Sequence, residues 1–219
     1  MKYEKWEKYY SIILKDFGFS QEADAASARL LSRLLKEHED GLKKLPPLIE
    51  GRGVAIYGGA VKRADINERW KGTIIAADDA ASILLSAGIT PHIIVTDLDG
   101  NVDEQIKANS NGAVVVVHAH GDNIEAIKRY VPRFSGPLVG TTQTQPLENV
   151  HNFGGFTDGD RAVFLARHFS ASDIHLIGFD FENVVYKTGK DPVVKRRKLQ
   201  WAKRLIEVAG IDTSSPRQP

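Results

Sequence analysis

The 219-residue sequence predicts an α/β protein: a doubly wound, mostly parallel, Rossmann-like sheet behind an N-terminal helical extension. Beyond residue 50, short β-rich apolar runs alternate with helical stretches, and that order calls for parallel strands joined by crossover helices. The runs are apolar throughout rather than alternating, as strands buried on both faces must be. Clusters of polar residues stand directly after the runs, where open parallel sheets bind their ligands.

Residues 3–17 and 21–39 read as two helices. In the second, Ala25, Leu30, Leu31, Leu34 and Leu35 recur at roughly helical spacing behind Ser20 as N-cap. Pro46-Pro47 is read as the end of this segment, which puts a boundary near residue 50. The expected strands are Val54–Tyr57, Thr73–Ala76, His92–Thr96, Val114–His118, Leu138–Thr141 and Ile174–Gly178. Residues 79–87, 102–109, 123–131 and 158–169 are expected to be helical, and a basic helix over 193–209 closes the chain. The expected organisation is a helical segment at 1–50, an α/β catalytic domain at 51–212 and a frayed tail at 213–219.

Hydrophobic residues make up 42% and charged residues 26%, the balance of an ordinary globular protein. Lys and Arg total 29 against 28 acids, which leaves no overall pull toward nucleic acid or a membrane surface. Cysteine is absent, excluding disulfides, thiolate catalysis and Cys-ligated metals. The apolar run from Tyr9 to Leu14 is too short for a signal sequence, and no stretch approaches a membrane span, so a cytoplasmic protein is expected.

The densest polar cluster is Asp97-Leu98-Asp99-Gly100, after Ile93-Ile94-Val95. Carboxylates at i and i+2 project to one side of an extended backbone, and Gly100 lets the chain turn away without a Cβ clash. A hard cation such as Mg²⁺ takes one or two carboxylates, with phosphate oxygens and water completing its octahedron. Turn chemistry is the plain alternative. An EF-hand fails on spacing, since Ala108 stands at the twelfth loop position. A haloacid-dehalogenase phosphatase has Asp-x-Asp-Gly-Thr at its first strand, whereas here Asn101 follows Gly100 at a third strand.

His118-x-His120-x-Asp122 places two imidazoles on one face, to hold phosphate, orient substrate or serve structure, and Asp122 suits a helix cap. Thr157-Asp158-Gly159-Asp160 is close to a capping box, with Asp158 and Asp160 open to function. Asp78-Asp79 opens a helix, where capping and metal or substrate binding are both consistent. Lys195-Arg196-Arg197-Lys198 is either a solvated face or a source of phosphate-neutralising charge. The P-loop signature is missing, and Gly51 and Gly53 precede their strand rather than follow it, which defeats a dinucleotide fingerprint.

Taken together, Ala77-Asp78-Asp79-Ala80, Thr96-Asp97-Leu98-Asp99-Gly100, the stretch from His118 to Asn123, Thr142-Gln143 and the stretch from Asn152 to Arg161 resemble one family. It is that of the archaeal 6-hydroxymethyl-7,8-dihydropterin pyrophosphokinases, related to Maf-type flagellar glycosylation proteins. The resemblance runs from about Gly53 to the closing helix. The chain is also similar to thiamin pyrophosphokinases, which carry an Asp-x-Asp strand end in a comparable sheet. It departs where relatives often have Gly-x-Gly-Pro-Ser after the first strand, reading Tyr57-Gly58-Gly59-Ala60-Val61 instead.

The resemblance implies Mg²⁺-dependent transfer of diphosphate from ATP to the hydroxymethyl group of a reduced pterin, with release of AMP. The product would feed folate-like or methanopterin-like carriers. On this reading Asp97 and Asp99 hold the metal, with Asp79 at metal or substrate. His118, His120 and Asp122 serve the transfer, and Asn123 orients phosphate or substrate. Thr142, Gln143 and Asn152 hydrogen-bond pterin or nucleotide, and Gly155, Asp158, Asp160, Arg161, Asp180 and Lys198 complete the expected binding surface. No residue stands out as general base. The N-terminal helices, with Tyr3, Trp6, Tyr9 and Tyr10, are expected to bury against the sheet edge or in a homo-oligomer contact. A sugar-nucleotide transferase and a non-catalytic nucleotide module are the competing readings.

Overall fold

The computed structural model describes residues 1–67, 69–183 and 191–213; most of the expected tail lies outside them. Seven strands form one parallel sheet: β1 (Gly53–Tyr57), β2 (Thr73–Ala77), β3 (Ile93–Thr96), β4 (Val114–Ala119), β5 (Leu138–Thr142), β6 (Val150–His151) and β7 (Asp173–Ile177). Their order is β6-β5-β4-β3-β2-β1-β7. The chain therefore steps outward from β1 to β6, then crosses back to lay β7 against the other side of β1. That reversal is the topological switch point.

The eight α-helices among the described residues are α1 (Tyr3–Phe17), α2 (Gln21–Leu34), α3 (Leu45–Ile49), α4 (Ala80–Ser86), α5 (Val102–Ser110), α6 (Ile124–Tyr130), α7 (Asp158–His168) and α8 (Pro192–Val208). Strand side chains sort between the two faces with a period of two. Ala55, Tyr57, Val115 and Val117 pack with Leu31 of α2, Leu84 of α4, Val102 of α5 and Ile127 of α6. Val54, Ile56, Val114 and Val116 pack with Ile49 of α3, Val163 and Ala166 of α7 and Ile206 of α8. Both faces are covered, which is why the runs carry no polar alternation. Cutting one of these fully buried side chains back to alanine costs about 2–5 kcal/mol for an isoleucine or leucine.

Two local expectations are corrected. Pro46-Pro47 opens the short helix α3 instead of ending a segment. The fixed φ and missing N–H of proline suit a first helical turn, whose N–H groups have no intrahelical partner. The two-residue strand β6 was not expected at all; it is a short edge strand paired to β5, with a single bridge to Leu147 on its other side.

The N-terminal helices bury against a sheet face and its loops, not only at an edge. Ala28 and Leu31 of α2 join the core cluster over β4 and β5. Trp6, Tyr10 and Ile13 of α1 form a third cluster with Phe156, Phe164, Trp201 and Leu205. Polar bonds anchor both helices: Trp6 Nε1 donates to Gln143 O at 2.7 Å, and Tyr10 Oη donates to Asp24 Oδ2 at 2.6 Å. Ser20 caps α2 by accepting from Ala23 N, as expected. No helix among the described residues is long and apolar enough to cross a membrane.

Candidate active site

The carboxyl ends of β1, β2, β3, β4, β5 and β7 open into one crevice of about 650 Å³. At its centre, carboxylate oxygens of Asp78, Asp97 and Asp99 lie within 4.8 Å of one another. Asp78, which the sequence reading weighed alongside Asp79, is the residue whose carboxylate joins those of Asp97 and Asp99 in this group. Asp78 has a φ of 46°, and its Oδ1 accepts from Thr96 Oγ1 at 3.0 Å and Gln105 Nε2 at 3.1 Å. Asp79 Oδ1 accepts from Asn101 N at 3.2 Å, tying the α4 turn to the turn after Asp99.

Gly100 is demanded by this packing. A Cβ there would stand 2.6 Å from Asp78 Oδ2 and closer still to Asp79 Oδ1. Leu98, between the two aspartates, takes a φ of 67°, with its N–H held by Thr96 Oγ1. The left-handed turn drives Leu98 into the core while Asp97 and Asp99 line the crevice.

His120 Nε2 lies 3.3 Å from Asp97 Oδ2, and its Nδ1 accepts from Asp122 N at 3.3 Å. Because Nδ1 accepts, Nε2 carries a proton and donates it to Asp97. Burial pushes the Asp97 carboxyl up, but the hydrogen bond and field of His120, then Arg161 and Lys198, hold it well below the usual carboxylate range. Asp97 Oδ1 is buried with no hydrogen-bond partner. An ionised carboxylate with an unmatched buried oxygen, beside two further carboxylates, fits a hard divalent cation.

Arg161 and Asp158 form the opposite wall, Nη1 to Oδ1 at 3.1 Å. Burial and then the charge of Asp97 raise the Asp158 carboxyl well above its ordinary range, with Arg161 pulling the other way. Gly155, with a φ of 95°, runs against the Arg161 backbone, where a Cβ would come within 2.7 Å of Arg161 N and Cα. The basic run on α8 divides by helical spacing. Lys195 and Lys198 line the crevice, whereas the Arg197 guanidinium lies over the Phe17 ring, 4.7 Å from its centroid. Lys198 Nζ sits 5.7 Å from the ring centroids of both Phe19 and Phe156.

Asp79, Asp97, Asp99, His120, Asp122, Gln143, Asp158, Arg161, Asp180 and Lys198 all line the crevice. The Asp180 carboxylate also accepts from the N–H groups of Glu182 and Asn183, forming its own turn.

The remaining expected residues are bonded within the protein and do not line the crevice. His118 is buried beneath the crevice, Nδ1 3.1 Å from Thr141 Oγ1. Burial drives its pKa well below the ordinary value, helped by Arg161 and His120 and slightly opposed by the Gln143 amide. Asn123 donates to Asp97 O at 2.8 Å and His118 O at 2.7 Å, stitching β3 to β4. Thr142 Oγ1 accepts from Thr144 N and Asn152 Nδ2 donates to Thr144 O, bracing the turn after β5. Asp160 accepts from the N–H groups of Phe156 and Thr157 and so caps α7.

The sequence reading left Asp78 open between capping and metal or substrate binding, and it did not single out Asp24. Asp24 is 3% exposed yet lines the crevice, accepting from Tyr10 Oη, Gly121 N at 2.7 Å and Gln143 Nε2 at 2.7 Å. Its signal was an acidic residue on the face of α2 that also carries Ala28 and Leu31, four and seven positions on.

Comparison with known proteins assigns the chain to a family. The family model described as 6-hydroxymethylpterin diphosphokinase MptE-like matches residues 64–185. The chain is 43% identical to the 6-hydroxymethyl-7,8-dihydropterin pyrophosphokinase of Pyrococcus furiosus and 42% identical to that of Methanothermobacter thermautotrophicus, in each case over 94% of both chains. It is 40% identical to the enzyme of that name from Methanocaldococcus jannaschii, over 94% of this chain and 95% of the relative. With such identity along almost its whole length, and a family model matched over more than half of it, the chain belongs to the 6-hydroxymethylpterin diphosphokinase MptE-like family.

Proposed function

We propose that this protein transfers diphosphate from ATP to the hydroxymethyl group of 6-hydroxymethyl-7,8-dihydropterin, giving the pterin diphosphate and AMP. The observation that carries the reading is the group of Asp78, Asp97 and Asp99 facing Arg161 and Lys198 across a crevice that belongs to this family. Carboxylates alone would repel a polyphosphate; with a cation among them and two basic side chains opposite, the same crevice attracts one.

In the reaction the pterin hydroxyl oxygen bonds to the β-phosphorus, the bond from that phosphorus to the α,β-bridging oxygen breaks, and AMP leaves. Asp78, Asp97 and Asp99 would hold Mg²⁺, whose charge lowers the repulsion between the attacking oxygen and the phosphates. His120 keeps Asp97 ionised and oriented through its Nε2–H. Arg161 and Lys198 supply positive charge where the phosphate oxygens gain electron density. Asp158, bonded to Arg161 Nη1 at 3.1 Å, keeps that guanidinium oriented toward the phosphates. Positioning and charge stabilisation carry the catalysis, as in phosphoryl transfer generally.

The test is to incubate the protein with ATP, Mg²⁺ and 6-hydroxymethyl-7,8-dihydropterin and identify products by mass spectrometry. AMP and the pterin diphosphate are the expected pair. ATP that binds without being consumed, or ADP as the product, would overturn the reading.

A further inference from the structure

We infer that the carboxylate group divides the crevice into two ring sites, and that the N-terminal helices build the pterin site while the β1–β7 junction takes the nucleoside. The inference rests on the diphosphotransfer reading above. Attacking and leaving oxygens stand roughly in line across the phosphorus, so the pterin and the nucleoside must lie on opposite sides of the phosphate bound at Asp78, Asp97 and Asp99. The strand order supplies two such sides: β1 and β7 flank β2 on one, β4 and β5 flank β3 on the other.

The β1–β7 side carries Gly58 and Gly59 after β1, with Phe179 and Phe181 after β7. It is the point where strand order reverses, and glycines after the first strand let backbone approach phosphate closely. The Phe179 and Phe181 rings, 5.9 Å apart, offer apolar surface for a purine.

The β4–β5 side is closed by the turn between α1 and α2. Phe19 lines the crevice there, its ring 6.3 Å from that of Phe156. Beside it stands Asp24, whose carboxylate already fixes Gly121 N and the Gln143 amide. A carboxylate offers about four acceptor sites, and three are filled by protein donors. The pyrimidinone edge of a pterin presents adjacent N–H donors that suit an acceptor-lined wall; adenine has only its amino group. Phe17 stacks on one face of Phe19, 5.3 Å between centroids, so the bicyclic ring would meet Phe19 on the side of the Lys198 ammonium, 5.7 Å from the ring centroid. This assigns a task to α1 and α2, which lie outside the matched residues 64–185.

Phe19 and Phe181 are both partly exposed, so Phe19→Ala and Phe181→Ala can be made in the full chain with little risk to folding. Steady-state kinetics with ATP and the pterin varied separately should split. Phe19→Ala should raise KM for the pterin on the order of tenfold and leave KM for ATP within about twofold, the size expected of a lost stacking partner. Phe181→Ala should do the converse. Calorimetry with an unreactive α,β-methylene ATP analogue, which needs no turnover, should show weaker binding for Phe181→Ala alone. The reverse split, equal changes in both constants, or no change in either variant overturns the assignment. Absence of turnover by the unaltered protein overturns the diphosphotransfer reading itself, and this inference with it.

Discussion

His120 Nε2 donates to Asp97 Oδ2 at 3.3 Å while its Nδ1 accepts the amide of Asp122, so the ring is fixed by its own strand end before it touches the carboxylate. That bond is the first of the forces lowering the Asp97 pKa. Replacing His120 by alanine should let the Asp97 pKa climb toward the ordinary carboxylate range. The acid limb of the kcat/KM profile should then move to higher pH. A limb that stays in place in the pH–rate profile would remove His120 from this role.

The identity of the third carboxylate can be settled by comparing Asp78→Asn with Asp79→Asn. Asp78 shares the group with Asp97 and Asp99, while Asp79 accepts from Asn101 N in the neighbouring turn. The Mg²⁺ concentration for half-maximal activity should rise tenfold or more in Asp78→Asn, the loss expected when a ligand or its support is removed. Asp79→Asn should move it less. The opposite ranking would restore Asp79 to the metal.

Gly100→Ala forces a methyl group between the Asp78 and Asp79 carboxylates. Overpacking of this kind costs about 1–3 kcal/mol, and it should also weaken Mg²⁺ activation. Thermal unfolding with and without Mg²⁺ is the measurement. An unchanged Tm together with unchanged Mg²⁺ dependence would show that the two carboxylates separate freely.

Stability should fall on acidification before most carboxylates titrate. His38, His92, His118, His151 and His168 are all held below the ordinary histidine pKa, in each case chiefly by burial. Their stabilising effect is full above the unfolded-state value of about 6.5 and declines as pH drops below it, because the unfolded chain takes up protons that the folded one refuses. For the fully buried His118 the slope approaches about 1.4 kcal/mol per pH unit, and the half-exposed rings contribute less. Asp158, raised in the fold, has the opposite sense: its contribution is present at low pH and is lost as pH rises through its raised value. Urea unfolding between pH 8 and 5.5 reads the net effect, and His118→Gln, which removes the largest histidine term, should flatten the curve. An identical pH dependence in that variant would contradict the assignment.

Asp24→Ala should destabilise the chain by about 3 kcal/mol or more, since three buried donors, from Tyr10, Gly121 and Gln143, lose their acceptor together. Asp24→Asn keeps the volume and one acceptor oxygen and should lose less. Chemical denaturation of the two variants checks the order.

Six of the seven strands were legible because strands covered on both faces have no polar alternation to confuse, and the helices between them show the 3.6-residue period. The turn motifs after the strands were legible because a parallel sheet sends all its carboxyl ends to one edge. β6 was not, since two residues leave no pattern in the chain. Asp78 and Asp79 could not be told apart along the sequence: adjacent side chains diverge, and the φ of 46° at Asp78, bonded to Thr96 and Gln105, decides which one joins Asp97 and Asp99. Nor could the sequence separate His120, in the crevice, from His118, buried beneath it: the backbone is extended through both, and the burial of His118 against Thr141 is a tertiary contact. Asp24 lay hidden as a polar residue on a helix. It reaches the crevice because α2 packs its Ala28 and Leu31 over β4 and β5, and that docking is set by the burial of apolar surface between segments far apart in the sequence.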